Sequence, residues 1–207
     1  MRKIALHQMM SLDGLMSGPD GEFDWPLADE EFEQRANELL DAADTLLLGR
    51  NTYQMFSSYW PTAVSNEAGT LKGSDGAKFK VPTSATRAHD EVASKMNGYR
   101  KIVFSKTLDT ASWNNSVLLR NVVPEEIRKM KEEPGKNMMI LGSAELSWEF
   151  IKAGLIDEYR IWVNPIILGK GKPLFGTQEE RYNLELAGNR TFGSGLIELH
   201  YLSPSAP

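Results

Sequence analysis

Apolar positions along the chain change period several times, and each change marks an element. Residues 3–10 alternate loosely, with Ile4, Leu6 and Met10 on one side and Ala5, His7 and Met9 on the other. Both sides are largely apolar, the pattern of a strand covered on two faces. Over 29–43, Phe32, Ala36, Leu39, Leu40 and Ala43 recur at helical spacing. That predicts a helix with Asp29 as N-cap and Glu30 and Glu31 against the positive end of its dipole. Short continuous apolar runs at 45–49, 101–105 and 138–141 read as buried strands, and 116–122 as a further strand. Helices are predicted over 52–59, from Pro124 to the Pro134-Gly135 pair, and over 145–153 with Gly154 just beyond.

The intervening SLDGLMSGPDGEFDWP (11–26) carries three Gly and two Pro and reads as a long loop, the kind of segment that tends to carry function. Residues 61–98 read as an excursion of loops with one helix near 88–96. After Gly154 the rhythm changes: 158–168, 181–192 and 196–202 are strand-like with no helix between them. Strand–helix alternation followed by strands alone predicts an α/β fold, a mostly parallel sheet with antiparallel C-terminal edge strands.

The length, 207 residues, fits a single domain over 1–207 that needs no disulfide or metal staple. A net charge of −5 argues against nonspecific nucleic-acid binding. The absence of Cys excludes thiol nucleophiles, disulfides and cysteine-ligated metals. His7, His89 and His200 are scattered, so no metal site is expected. No apolar run reaches the roughly 18 residues of a membrane span. His7, Gln8, Ser11 and Asp13 interrupt any leader core, so a cytosolic location is expected.

There is no G-x-G-x-x-G after a strand and no G-x-S-x-G elbow. Three strand ends nonetheless suit anions. LLLGRNTY (46–53) ends a buried strand in Gly49 and places Arg50, Asn51 and Thr52 at a helix start. A helix N-terminus offers free N–H groups, and an arginine adds a fork of donors. FSKTL (104–108) puts Ser105 and Lys106 after another buried strand. LGSAEL (141–146) feeds a strand into Gly142-Ser143-Ala144, followed at once by a helix. Each alone reads equally as an ordinary turn with a cap and a solvated cation. Three on one sheet, at the edge where open α/β sheets bind ligands, suggest a dinucleotide with several phosphates.

Together, SLDG (11–14), LLLGRNTY (46–53), SKTL (105–108) and LGSAELSWEFIKAGLIDEYRIWVNPIILGKGKPLF (141–175) resemble the dihydrofolate reductase-like superfamily. They are most similar to the reductase half of the riboflavin-pathway deaminase/reductase and its stand-alone relatives. The resemblance runs from about residue 2 to 202, with 61–98 poorly matched. It implies a three-layer α/β fold, NADPH as cofactor, a homodimer, and hydride transfer to a pyrimidinone, pterin or related heterocycle. One such substrate is 5-amino-6-(5-phosphoribosylamino)uracil. Carried over by residue, Gly49, Arg50, Asn51 and Thr52 match a cofactor phosphate turn. Ser105 and Lys106 match the segment near the adenosine 2′-phosphate, and Gly142, Ser143, Ala144, Glu145 and Leu146 match the pyrophosphate turn. Dihydrofolate reductases have Gly-Gly where this chain has Gly142-Ser143.

SLDG, with Gly14, matches a loop near the nicotinamide and substrate. Asp29 lies where dihydrofolate reductases place a substrate-binding carboxylate, but it also reads as a plain N-cap. Asp13 is a second candidate acid, or the turn Asp before Gly14. Trp25 either walls the substrate pocket or packs its loop. An alternative is a module that keeps NADPH as a structural or sensing ligand without turnover. A third reading is a sheet that binds another nucleotide or a phosphosugar. The apolar run at 158–168 supplies the residue-level motive for a homodimer, being too apolar for a bare edge.

Overall fold

The computed structural model describes residues 1–65, 70–72, 78–80, 86–176 and 180–204. Its strands are β1 (Ile4–Ser11), β2 (Leu15–Ser17), β3 (Ala43–Gly49), β4 (Thr70–Lys72), β5 (Lys78–Lys80), β6 (Arg100–Phe104), β7 (Ser116–Leu119), β8 (Asn137–Leu141), β9 (Glu158–Asn164), β10 (Lys172–Pro173), β11 (Glu185–Thr191) and β12 (Ile197–Leu202). Its helices are α1 (Glu30–Asp41), α2 (Arg50–Tyr59), α3 (Arg87–Gly98), α4 (Pro124–Glu132) and α5 (Ala144–Lys152), with a 3-10 turn at Trp60–Ser65.

Eight strands form one sheet in the order β11-β12-β9-β1-β8-β3-β6-β7. All pairs from β9 to β7 are parallel, and β12 and β11 join antiparallel at the C-terminal edge. Alternate side chains of each central strand face opposite layers. Ile4, Leu6, Leu47, Ile102, Met138 and Ile140 pack against Ile127 of α4 and Phe150 and Ile151 of α5. Leu46, Leu48, Val103 and Met139 pack against Leu40 of α1, Tyr53 of α2, and Val92 and Met96 of α3. The result is a three-layer α/β fold with a mixed sheet, as expected.

Several boundaries move, for identifiable reasons. α1 starts one residue after Asp29 and ends before Ala43, which belongs to β3. β9 stops at Asn164 because Pro165 cannot donate to a ladder. β7 ends at Leu119 and β11 begins at Glu185, so both are shorter than the apolar pattern. α2 begins at Arg50, two residues earlier than expected, with Gly49 as its N-cap. The long 11–26 loop contains β2, which pairs with β10. In the 61–98 excursion the expected helix is present as α3, and a short β4–β5 hairpin accompanies it.

The apolar run at 158–168 needs no second chain. β9 lies between β1 and β12, and Tyr159, Ile161 and Trp162 are at most 5% exposed within this one chain. Trp162 meets Phe32 edge-on at 4.9 Å, and of the large apolar side chains in this run only Ile167 is widely exposed. The sequence-level motive for a dimer at this strand is therefore removed: an interior strand is apolar for intrachain reasons.

Candidate functional site

The three strand-end turns terminate adjacent strands β8, β3 and β6 and open into one cleft of about 500 Å³. Gly49, Arg50, Asn51 and Thr52 line it beside Ser105 and Lys106, and Gly142, Ser143, Ala144, Glu145 and Leu146 complete that wall. Arg120 and Lys172 join them, and sequence reasoning missed both. Arg120 carried a readable signal: like Arg50, it follows the last apolar residue of a strand. Lys172 carried none, because only the β2–β10 pairing brings its loop back across the cleft.

Ser143 joins two of the turns. Its Oγ accepts the Gly49 amide N–H at 3.0 Å and lies 2.7 Å from Thr52 Oγ1. The hydroxyl is thus turned away from its own helix, and α5 starts without a side-chain cap. α2 also starts without one, whereas Asp29 and Thr86 cap α1 and α3. Two helix N-termini therefore present uncapped N–H groups at one cleft, where an anion would satisfy them. A Cβ at Gly49 would fall 2.5 Å from Ser143 Oγ, so only glycine lets the turns approach. Gly142 has φ +62° and Ser143 φ +61°, a left-handed pair in which the second residue is not glycine.

The cation corner is partly self-engaged. Arg50 donates to Thr107 Oγ1 at 3.0 Å and to Asn51 Oδ1 at 3.2 Å. Ser105 Oγ accepts from the amides of Thr107 and Leu108, closing its own turn. Arg120 braces the same turn through the carbonyls of Ser105 and Leu108. Lys106 is exposed at the rim.

A second, apolar cleft of about 280 Å³ lies between α1, α2 and α3. It shares Gln8, Phe23, Thr52, Met55 and Gly142 with the first, so the two are contiguous. Its walls are mainly aromatic and aliphatic, including Phe32, Phe56, Trp60, Met96, Met139 and Trp162. A polar chain runs along one side. Glu33 Oε1 lies 3.1 Å from His89 Nδ1, and His89 Nε2 lies 2.8 Å from the Tyr59 hydroxyl. Glu33 Oε2 accepts from Thr86, and Trp60 stacks on the His89 ring. Burial, with Glu33 nearby, pushes the Tyr59 hydroxyl up to about 12. His7 also lines this cleft. Burial, then Arg160, Arg35 and His200, pushes its imidazole down to about 3, so it is neutral. None of these groups was picked out in the sequence, because their partners lie on different elements.

The two candidate acids line neither cleft. Asp29 Oδ1 accepts the Phe32 amide at 2.9 Å as the α1 cap. Asp13 accepts from Ser11 Oγ and from the amides of Leu168 and Gly169. The Ser11 hydroxyl first, then the Gly169 amide, hold its carboxyl down at about 2. Gly14, at φ +83°, completes that turn. Trp25 packs edge-on against Phe23 at 5.5 Å, and it is Phe23 that borders both clefts.

Comparisons with known proteins give the family and the fold. The model of the RibD C-terminal domain matches residues 2–197. "Uncharacterized protein YyaP" of Bacillus subtilis (strain 168) is 33% identical over 200 residues, covering 97% of this chain and 94% of that one. Among solved structures, the diaminohydroxyphosphoribosylaminopyrimidine deaminase/5-amino-6-(5-phosphoribosylamino)uracil reductase of Thermotoga maritima superposes with a TM-score of 0.63 at 16% identity. The match covers 98% of this chain and 56% of that one. Dihydrofolate reductase from Enterococcus faecalis, complexed with NADP(H), superposes with a TM-score of 0.59 at 13% identity, covering 98% and 97%. At these identities the structures establish the dihydrofolate reductase-like fold. Among the described residues, no helix is long and apolar enough to cross a membrane.

Proposed function

This chain belongs to the RibD C-terminal domain family, and from that premise we propose that it is a cytosolic NADPH-dependent reductase of a small heterocycle of the pyrimidinone or pterin type. The observation that carries the reading is the joining of two clefts of opposite character at Gln8, Thr52 and Gly142. One is lined by uncapped helix N-termini and cations, the other by rings. The first fits a dinucleotide. The α5 N-terminus at Ala144, Glu145 and Leu146 would hold a pyrophosphate, and the α2 N-terminus at Arg50, Asn51 and Thr52 a further phosphate oxygen. Arg50, Lys106 and Arg120 would surround a 2′-phosphate.

NADPH, held at the turns 49–52 and 142–146, would supply the hydride for reduction of the heterocycle, with the accompanying proton drawn from water. The protein's part is to bind, orient and exclude water. Gly49 and Ser143 set the spacing of the two anion turns. The aromatic walls of the second cleft would hold a flat ring beside Gln8. The family resemblance also supports a homodimer.

Calorimetry with NADPH, NADH and ATP tests the cofactor assignment. NADPH should bind most tightly, and preference for ATP would overturn the reading. One observation favours the second reading, a non-catalytic NADPH-binding or sensing module: neither Asp29 nor Asp13 lines a cleft. Tight NADPH binding with no oxidation across a pterin, pyrimidinone and flavin-intermediate panel would decide for it.

A further inference from the structure

The second cleft is polar at very few points, and two of them are unfinished. Gln8 is 2% exposed. Its Nε2 donates to the Met9 carbonyl at 3.0 Å, while Oε1 is buried without a partner. Because the nitrogen is committed to a carbonyl, the free atom is the oxygen, so it can only accept. Trp60 Nε1 is likewise buried without a partner, and it can only donate. Both residues line this cleft. Buried polar groups in folded proteins are nearly always paired, so two unpaired ones on one apolar cavity point to a ligand that completes them.

Charge excludes one ligand class. Among the described residues lining this cleft there is no Lys or Arg, and the one acidic side chain is Glu33. Both Glu33 oxygens are already engaged, by His89 and Thr86. A phosphate buried here would meet no Lys or Arg and would share the cleft with the acidic Glu33, a burial that proteins avoid. The cleft volume, about 280 Å³, is at the small end for organic ligands and leaves little room for a sugar phosphate beyond a ring system.

We propose that this cleft takes a flat, uncharged, unphosphorylated ring compound that donates an N–H to Gln8 Oε1 and accepts from Trp60 Nε1. The inference rests on the reductase reading for its chemistry, but the ring-binding site stands on the cleft alone. It makes Gln8 a specificity-determining residue and separates this chain's substrate from the phosphoribosyl pyrimidine named for the Thermotoga protein.

The test is equilibrium binding of two probes, followed by tryptophan fluorescence and calorimetry: quinazolin-4(3H)-one, and its 3-methyl analogue, which lacks the N–H. The parent should bind about tenfold more tightly than the analogue, the size of one hydrogen bond to a buried acceptor. Gln8→Leu should bring the two within about twofold. Ala36→Phe, which fills the cleft from α1, should abolish binding of both while leaving NADPH affinity unchanged. Equal binding of both probes by the unaltered protein would overturn the role of Gln8. Consumption of 5-amino-6-(5-phosphoribosylamino)uracil with NADPH, with no competition from the parent probe, would overturn the substrate class. NADPH affinity is measured separately, so failure of the cofactor reading is seen apart from failure of the ring site.

Discussion

Ser143 and Thr52, which are 91 positions apart in the chain, bring their hydroxyl oxygens to 2.7 Å, and Ser143 also accepts the Gly49 amide. One side chain thus ties the turn after β3 to the turn after β8. It does so from a left-handed backbone, φ +61°, that costs a non-glycine residue roughly 1–2 kcal/mol. Ser143→Ala keeps that strain and leaves a partly buried N–H unpaired, at about 1–3 kcal/mol. Ser143→Gly loses the same bonds but relaxes the backbone. Thermal unfolding should therefore rank wild type above Gly and Gly above Ala, with Ala lower by several degrees at ~2–4 °C per kcal/mol for this size. Equal melting of Ala and Gly would show that the left-handed turn carries no strain.

Arg50 should decide between the two nicotinamide cofactors. A hydrogen bond to a charged group contributes about 1.5–3 kcal/mol. Arg50→Ala should then weaken NADPH by roughly ten- to a hundredfold and NADH by much less. Equal losses by calorimetry would mean that Arg50 does not meet the 2′-phosphate.

Asp29→Asn separates capping from acid chemistry. Asn caps about as well as Asp, so the Phe32 amide keeps its acceptor and the melting temperature should hold. Because Asp29 lines neither cleft, turnover of a reducible heterocycle should hold too. A loss of ~10²–10⁴ in rate, with NADPH affinity intact, would assign Asp29 to the proton transfer after all. Asp29→Ala should cost about 1 kcal/mol of stability in either case.

His7 should make the fold acid-sensitive. Its folded pKa of about 3 lies below the 6.5 of an unfolded histidine. Between those values the unfolded chain binds a proton that the native chain refuses, so stability falls as pH drops from about 6.5 toward 3 and is fully present above 6.5. His7→Gln should flatten the denaturation-midpoint profile across that window. An unchanged slope would remove His7 as the cause.

Of the two ends of the sheet, β11 and β7, the first offers a homodimer an apolar edge. β11 ends the sheet order, and Leu186 on it is 59% exposed. Light scattering at micromolar concentration should give twice the chain mass, and Leu186→Lys, an edge charge that blocks strand pairing, should halve it. A single-chain mass for the unaltered protein would end the expectation.

Sequence by itself determined the elements and the strand-end turns. Period and punctuation are local properties, so the strand at 45–49, the helix after Asp29 and the Gly142-Ser143 turn were readable from neighbouring residues. Most ends were right to within a residue or two, but Pro165 ended β9 early and β7 and β11 stopped short of their apolar patterns. The parallel sheet with its antiparallel edge was likewise legible, because helices separate most of the parallel strands and, among the described residues, none follows Gly154. Tertiary structure alone decided what depends on distant partners. Only the sheet order placed the ends of β8, β3 and β6 side by side. Only folding showed that Ser105 spends its oxygen on its own turn and that Asp13 holds the amides of Leu168 and Gly169. The Glu33–His89–Tyr59 chain joins three helices, and the unpaired Gln8 oxygen is unpaired only because of what surrounds it. A side chain's hydrogen-bonding state is a property of its environment, and the environment of a buried polar group is assembled from residues far apart in sequence.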